Sequence, residues 1–375
     1  MHKIEQLIEE LCPQGVEFKA LGDVIKLKKG KQLNKELLSK NGRYPAYNGG
    51  ISYSGFTNNY NYNENTIIIS QGGASAGFVN FVTTKFYANA HCYVVLPKTE
   101  MVKTRYFYHF LKLNQEKITN KQHGAGIPAL KTSEVLDIPI PIPPLTIQKE
   151  IVKILDHFTQ LEAELEAELE ARKKQYEHYR EALLTFGDDV ERRALREVCT
   201  NHDSKRKPVT KSARQTGKYP YYGASGIVDY VSEYIFDGDY LLISEDGANL
   251  LARKTPIAFP VSGKTWINNH AHVLKFDNLV TQKYIEFYLN SISLIDYITG
   301  AAQPKLNKGN LNKIKIPFPP LSKQKEIVAI LDKFDALVND ISTGLPAEIT
   351  ARKKQYEYYR NQLLTFKPLE QEDAN

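Results

Sequence analysis

The residues in this sequence that could do chemistry are mostly polar side chains in glycine-rich loops, and their types suit the reading of nucleic acid. Arg and Lys donate hydrogen bonds to phosphates and to guanine, Asn and Gln pair with adenine, and acids accept from the amino group of cytosine. The candidates before residue 143 are Lys28, Lys29, Lys31, Gln32, Tyr47, Asn48, Gln71, Ser75 and Lys85. The candidates between residues 188 and 319 are Lys205, Arg206, Lys207, Tyr222, Ser225, Glu245, Asn249, Arg253 and Lys264.

These loop residues admit a second interpretation. A basic cluster beside a predicted strand is also what an ordinary solvated surface looks like. The neighbouring glycines serve tight turns as readily as close approach to a duplex, and the tyrosines belong to cores more often than to base stacking. The sequence therefore nominates these positions as DNA-binding without deciding which of them read bases.

Catalytic elements are missing where they would be expected. An adenine methyltransferase holds the flipped base with an Asn/Asp-Pro-Pro-Tyr/Phe element, whereas the pairs here stand in Ile-Pro-Pro-Leu (142–145) and Phe-Pro-Pro-Leu (318–321). Residues 124–129 imitate a dinucleotide-binding turn but follow no clear strand, and residues 262–265 lack the first glycine of a phosphate-binding loop. His270 and His272 have no further metal ligands nearby. We therefore expect no catalytic residue, no cofactor and no metal.

Length and composition narrow the classes further. The 375 residues, 42% hydrophobic and 25% charged, allow two or three folded domains and exclude wholesale disorder. No stretch approaches the ~18 apolar residues of a membrane span, and the N-terminus lacks the basic and apolar regions of a secretory signal. The three cysteines are scattered, which favours the reducing cytoplasm and excludes a disulfide scaffold.

A repeat organises the whole chain. Residues 144–158 return as 320–334, and residues 171–186 return as 351–366. The repeated segments have helical apolar spacing, and the stretches before them are rich in Tyr, Asn and Gly with short β-branched runs. We therefore expect two mixed α/β modules, module 1 (1–143) and module 2 (188–319), separated by helical regions 144–187 and 320–367 and followed by a tail, 368–375.

The helical regions predict a coiled coil, because their apolar residues recur at spacings of three and four. The predicted seam residues are Ile151, Leu155, Phe158, Leu161, Leu165, Leu169, Ile327, Leu331, Phe334, Leu337 and Ile341. The first region has no Gly or Pro between 147 and 186, so about 40 residues could form one helix about 60 Å long. Gly344 and Pro346 break the second region. The expected class is α+β, with two long antiparallel helices and a pseudo-twofold internal repeat.

Charge follows the same division. Residues 1–143 carry a net +6 and residues 188–319 a net +4, whereas residues 144–187 carry −3 and residues 320–375 carry −1. This distribution favours two modules that face a polyanion, held on a spacer of opposite sign. A solvated basic surface would explain the same values.

With these motifs the chain resembles the DNA-specificity subunit of type I restriction-modification systems over essentially its whole length. The resemblance rests on Pro-Pro-Leu-x-x-Gln-Lys-Glu-Ile at 143–151 and 319–327, on Gly-Leu-Pro-Ala-Glu-Ile at 344–349, and on the repeated Arg-Lys-Lys-Gln-Tyr-Glu. The first helical region departs from the family pattern because it lacks Gly-Leu-Pro. A Leu-Glu-Ala-Glu repeat (161–171) stands there instead, similar to the short repeats that set module separation in some members.

The resemblance implies a non-catalytic, cytoplasmic subunit that binds double-stranded DNA, two methyltransferase (modification) subunits and two restriction (motor-nuclease) subunits. Each module would read one half of a bipartite target, and the helices would set the spacer and dock the methyltransferase. Residues 172–174 and 352–354, both Arg-Lys-Lys, are docking candidates or else a solvated charged face. Two other classes stay open: a lone methyltransferase or nuclease, and a coiled-coil scaffold that binds only protein.

Overall fold

The structure, a computed structural model, describes residues 2–123, 128–300 and 303–369. Most of the dinucleotide-like turn (124–127) and the last residues of the expected tail (370–375) lie outside this part. The chain divides into unit 1, which comprises Met1–Glu166 and Glu348–Asn375, and unit 2, which comprises Ala167–Ala347. Among the described helices, none has the length and apolarity needed to cross a membrane.

Unit 1 contains module 1, which is built from short strands and helices. Its strands are β1 (Phe18–Ala20), β2 (Ile25–Lys29), β3 (Tyr44–Tyr47), β4 (Gly55–Thr57), β5 (Thr66–Ser70), β6 (Val79–Val82), β7 (Tyr87–Ala88), β8 (Cys92–Pro97) and β9 (Pro139–Pro141). Its helices are α1 (His2–Leu11), α2 (Leu21–Val24), α3 (Thr104–Leu113), α4 (Gln115–Thr119) and α5 (Thr132–Leu136), with a 3-10 helix at Lys35–Leu37.

The main sheet of module 1 is antiparallel, with strand order β2-β8-β5-β6. Its strand β5 carries three consecutive isoleucines that are all buried, because a β-branched run suits a strand covered on both faces. Ile67 and Ile69 belong to the large core that includes Phe107 of α3, whereas Ile68 packs in a smaller cluster with Phe86. A second sheet has the order β4-β3-β7, and β1 pairs with β9.

The helix α6 (Leu145–Leu184) is continuous over 40 residues, as the absence of Gly and Pro predicted. Its first part belongs to unit 1 and its second part to unit 2. The Leu-Glu-Ala-Glu repeat therefore replaces a break with uninterrupted helix.

Unit 2 contains module 2, which repeats the topology of module 1. Its strands are β10 (Arg192–Ala194), β11 (Thr200–Asn201), β12 (Thr216–Gly223), β13 (Gly226–Val231), β14 (Phe236–Asp237), β15 (Tyr240–Ser244), β16 (Ala258–Val261), β17 (Lys264–Ile267), β18 (Ala271–Lys275) and β19 (Lys315–Pro317). Its helices are α7 (Leu195–Val198), α8 (Asn249–Ala252), α9 (Leu279–Ser291) and α10 (Lys308–Lys313), with 3-10 helices at Asp203–Lys205, Lys211–Ala213 and Ile295–Tyr297.

The sheets of module 2 match those of module 1, except that the second sheet of module 2 has one more strand, β14, which pairs with β17. The main sheet has the order β11-β18-β15-β16, and a second sheet has the order β13-β12-β17-β14. In both modules the second sheet contains one parallel pair of strands. The pair is β3 and β7 in module 1 and β12 and β17 in module 2. The two modules are thus copies of one architecture, and the expected α+β class with an internal repeat is confirmed.

The second helical region is broken before Pro346, as the sequence predicted, although its first helix already ends at Asn339, ahead of Gly344. Helix α11 (Leu321–Asn339) ends at a turn in which Asp340 accepts hydrogen bonds from Ser342 and Thr343, and α12 (Leu345–Leu363) follows. In unit 1, α12 runs antiparallel to the first part of α6. Phe158 stacks on Tyr359 at 5.1 Å, and Lys353 pairs with Glu162 and Glu166. In unit 2, Phe334 of α11 stacks on Tyr176 and Tyr179 of α6.

The expected seam agrees with the observed burial except at its end. Ile151, Leu155, Ile327 and Leu331 are fully buried. The partly buried members are Phe158, Leu161, Leu165, Leu169, Phe334 and Leu337. The expectation for Ile341 is wrong: it follows the end of α11 and is 85% exposed, whereas Val338 is buried. The apolar spacing continues in the sequence, but the Asp340 turn has already ended the helix.

A cluster of polar side chains, called here the polar junction, joins α3 to α6 and α12 in unit 1. His109 is fully buried, with Nε2 2.8 Å from Oδ1 of Asp156 and Nδ1 2.9 Å from the hydroxyl of Tyr356. Because the carboxylate only accepts, Nε2 donates to it and Nδ1 accepts from Tyr356. Arg105 donates to the same carboxylate. Burial lowers the pKa of His109, although Asp156 opposes the shift.

Both chain ends contribute to unit 1. The backbone N–H of Val16 donates to the carbonyl of Lys367, and that of Leu369 donates to the carbonyl of Val16. Gly15 has a φ of +110°, and a Cβ there would lie 2.4 Å from the carbonyl oxygen of Pro368. The close approach of the two segments therefore requires glycine at this position.

Candidate nucleic-acid interface

Three loops of module 1 meet at one end of its sheets. They follow β3 (Asn48, Gly49), follow β5 (Gln71 onwards) and precede β8 (His91). The N–H of Gln71 donates to the carbonyl of His91 at 2.8 Å. Gly49 has a φ of +80°, and a Cβ there would lie 2.9 Å from the same carbonyl oxygen. Loops that are far apart in the sequence therefore form one polar surface.

A cavity of about 430 Å³ opens beside this surface. Its polar lining residues are Gln32, Asn34, Lys35, Glu36, Asn48, Asn89 and His91. Asn89 is buried and holds the loop, since its Oδ1 accepts from the N–H groups of Leu33 and Ala90. The side chains of Gln32, Asn34, Asn48 and His91 are exposed, and within the described chain they form no hydrogen bond. Several donors and acceptors thus converge without protein partners.

The other predicted contacts of module 1 divide by exposure. Lys28, Lys29 and Lys31 are exposed, the first two on β2, which is an edge strand of the main sheet. Lys85 lies over the ring of Tyr60 at 4.7 Å. The remaining predicted residues, Tyr47, Gln71 and Ser75, are partly buried. Tyr47 packs edge-on against Phe86 at 5.9 Å, which gives it a structural role.

Module 2 brings the equivalent loops together through the same hydrogen bonds. The N–H of Glu245 donates to the carbonyl of His270 at 2.9 Å, as Gln71 does to His91. The N–H of Gly247 donates to Pro304, as Gly73 does to Pro128. Lys205, Lys207, Ser225 and Lys264 are exposed here, Tyr222 is partly buried, and Lys264 lies 4.7 Å from the ring centre of Tyr234.

The expectation that Glu245 and Arg206 reach DNA is corrected by the structure. Glu245 is 8% exposed and accepts from Arg206 at 2.5 Å, and Lys305 lies 3.2 Å away. Burial favours a raised pKa for Glu245, but these partners and His272 outweigh it and lower the pKa. Arg206 also donates to the carbonyl of Ala271 at 2.8 Å. Both side chains therefore stabilise the interior of module 2.

Two further predicted contacts in module 2 hold local structure. Arg253, with a φ of +51°, donates to the carbonyls of Leu289 and Ile292 at the end of α9. The side chain of Asn249 accepts from the N–H of Thr255 and donates to its carbonyl. These bonds direct both side chains toward their own module.

One side-chain cluster in module 2 has the composition of a metal site. Asp203, Glu245 and His272 offer ligand atoms within 4.8 Å of one another. However, Nδ1 of His272 lies 2.6 Å from Asp203 and its Nε2 lies 2.7 Å from the carbonyl of Leu306. Both ring nitrogens therefore already face hydrogen-bond partners within the module. The cluster is a buried ionic network that includes Arg206.

His91, Asn34 and His270 were not among the DNA contacts predicted from the sequence, in which His270 stood out only as a possible metal ligand, whereas the loop that carries Asp246 was a candidate. His270 is exposed, and its Nδ1 lies 2.9 Å from Asp246. The sequence nevertheless indicates that the two histidines are equivalent. Asn-Ala-His (89–91) directly precedes β8 and Asn-Asn-His (268–270) directly precedes β18, and these two strands occupy the same position in their main sheets. Aligning the two copies along their whole length would have paired these histidines.

Comparison with known proteins agrees with this architecture. The family model of the type I restriction modification DNA specificity domain matches residues 13–171 and again residues 187–351. A putative type I restriction enzyme specificity subunit of Haemophilus influenzae is 40% identical, with 97% of this chain and 98% of that protein covered. The EcoR124I/EcoR124II specificity subunit of Escherichia coli is 30% identical, with coverages of 98% and 97%.

The fold is also found in a crystal structure. The S subunit of a type I restriction-modification system from M. genitalium superposes with a TM-score of 0.66 at 21% identity, covering 93% of this chain and 96% of that one. Two matches to the same domain model, each containing one copy of the repeated loop cluster, account for most of the sequence. The chain belongs to the family of type I restriction-modification DNA specificity subunits.

Proposed function

We propose that this chain is the non-catalytic specificity subunit of a type I restriction-modification complex in the cytoplasm, and that each module reads one half of a bipartite DNA target. The observation that carries the proposal is the duplicated loop cluster. The same hydrogen bonds assemble it in both modules, and its exposed residues differ between the copies. Two readers with different side chains suit a target with two different halves.

We propose that the helices set the distance between the half-sites, with boundaries at 1–143, 144–187, 188–319 and 320–367. A helix of 40 residues is stiff, and it advances about 1.5 Å with each residue. Because α6 contributes to both units without a break, its length is the natural determinant of spacer length.

Two methyltransferase subunits, and two restriction subunits with them, are the proposed protein partners. Within the two Arg-Lys-Lys segments, Arg172 and Arg352 pair with acids one turn away, and Lys353 pairs with Glu162 and Glu166. Lys174 and Lys354 occupy equivalent places, are exposed and have no ion pair among the described residues. We propose these two lysines as the docking contacts within the segments.

The test is to express the full chain with its methyltransferase subunit in a host without other modification systems and to map methylated bases across the genome. We expect one motif made of two defined halves around a gap of fixed length. The chain purified alone should neither methylate nor cleave DNA. A continuous motif, or modification by the chain alone, would contradict the proposal.

Duplex binding by the complex separates this function from a scaffold that binds only protein. Affinity should fall steeply with salt, since neutralising each phosphate releases counterions. A complex whose DNA affinity does not depend on this chain would leave the scaffold as the explanation.

A further inference from the structure

We infer that the two modules read different kinds of base pair at their equivalent loop clusters: an A·T pair by Asn48 in module 1, and a C·G pair by the Asp246–His270 pair in module 2. The inference rests on the proposed function and extends it to the chemistry of each half-site.

The equivalence of the positions follows from backbone hydrogen bonds. Asn89 donates to the carbonyl of Tyr47 as Asn268 does to that of Tyr222, so the next residues, Asn48 and Gly223, correspond. Lys31 donates to Ala88 as Lys207 does to Ile267. It follows that the next residues, Gln32 and Pro208, also correspond.

Module 1 has amides where module 2 has none. Asn34 and Thr210 each precede the 3-10 helix of their loop. Gln32, Asn34 and Asn48 thus face one cavity in module 1, while Pro208, Thr210 and Gly223 stand at these places in module 2. An amide donates and accepts side by side, which matches N7 and the N6 amino group of adenine in the major groove.

Module 2 has an ion pair at a place where the described residues of module 1 have none. The residues after Gln71 and Glu245 are Gly72 and Asp246. Asp246 lies 2.9 Å from Nδ1 of His270, whereas a Cβ at Gly72 would be 4.0 Å from Nδ1 of His91 with no acid attached. Because the carboxylate accepts, Nδ1 of His270 donates to it, and Nε2 is the nitrogen left to face DNA.

This ion pair matches the major-groove edge of a C·G pair. Cytosine presents the N4 amino donor, for which a carboxylate is the complementary acceptor. Guanine presents O6 and N7, to which Nε2 of His270 donates when the ring carries both protons, the form in which it makes an ion pair with Asp246. The side chains of His270 and Asp246 are 51% and 30% exposed, so both have atoms available at the surface. The adjacent Glu245, held by Arg206 and Lys305, anchors the loop that carries Asp246.

The experiment uses the full chain in complex with its methyltransferase subunit. We would compare Asn48→Ala and Asp246→Ala with two exposed controls outside the loop clusters, Asn63→Ala and Asp277→Asn. Thermal unfolding checks that each variant folds. Motifs are mapped genome-wide, and binding is measured on duplexes altered at single positions.

We expect Asn48→Ala to reduce discrimination at one A·T position of one half-site by roughly 5- to 150-fold, the range for one good bidentate contact. Asp246→Ala should do the same at one C·G position of the other half, and the controls should keep the wild-type motif. The inference would be overturned by variants that fold but keep the wild-type motif, or by variants that lose discrimination at the other kind of base pair. In either case a wild-type motif with two halves would still support the proposed function. A wild-type motif without two halves would overturn the proposed function itself.

Discussion

Replacing Asp156 by Ala tests the polar junction between module 1 and its helices. The change leaves the Nε2–H of the fully buried His109 without an acceptor, which costs about 1–3 kcal/mol in desolvation. It also removes the partner of Arg105. The side chain of Asp156 is 38% exposed, so solvent screening limits that loss to about 1 kcal/mol or less. The two losses add to about 1–4 kcal/mol, and we expect a value near the middle of that range, about 2–3 kcal/mol, confined to unit 1.

Unit 2 provides a matched control. The hydroxyls of Tyr106 and Tyr284 donate to Pro141 and Pro317, so the equivalent of His109, three residues on, is Phe287. Asp332 occupies the place of Asp156, and its nearest cation is Lys283 at 3.7 Å. With a side chain 49% exposed and no histidine to satisfy, Asp332→Ala should cost under about 1 kcal/mol.

Native-state hydrogen exchange reads the two units separately. A loss of 2–3 kcal/mol corresponds to roughly 30- to 150-fold faster exchange of the α3 amides in Asp156→Ala, with α9 unchanged. Asp156→Asn should restore part of the protection, because its amide oxygen can still accept from His109. Equal effects of the Asp156 and Asp332 changes, or none in α3, would refute the reasoning.

Three further outcomes are expected. Burial lowers the pKa of His109, so the unfolded chain binds a proton at this residue more readily than the folded chain does. Unit 1 should therefore lose stability as pH falls below about 6.5. Denaturation curves taken at several pH values should show a weaker pH dependence for His109→Phe. One extra Leu-Glu-Ala-Glu unit after Glu168 lengthens α6 by about 6 Å and rotates the residues that follow by about 40°. Methylation mapping should then show a gap one or two base pairs longer, with both half-sites kept. An unchanged gap would count against the helix as the determinant of spacer length. Changing Lys29 and Lys31 to Ala should reduce the salt slope of DNA binding by about 2, whereas a lower affinity with the same slope would show that they do not contact phosphates.

The architecture was predictable because the sequence patterns that define the repeat involve residues close together in the chain. Helical spacing and the Gly344–Pro346 break act within a few residues, and both predictions agree with α6, α11 and α12. The end of α11 was less predictable. An apolar residue at 341 fits the seam, but the side chain of Asp340 bonds the following backbone and ends the helix first.

The interface was less predictable because exposure depends on distant partners. Glu245 is charged and follows a strand, as a base-reading residue would, but strand pairing places it beside Arg206 and His272. Its neighbour Asp246 keeps a surface position. Nothing local to Glu245-Asp246 distinguishes the two acids, since the side chains that surround Glu245 (Arg206, His272 and Lys305) are all distant from it in the sequence.

The division of unit 1 between the two ends of the chain has a consequence for synthesis. Glu166 and Glu348 border its two segments, so a ribosome adds about 180 residues between them, which takes roughly 10–40 s at 5–20 residues per second. Throughout that interval the nascent module 1 lacks α12, and with it Tyr356 and Tyr359. Unit 2, which is continuous in the chain, can complete its own core first. The half translated first is therefore the half that matures last.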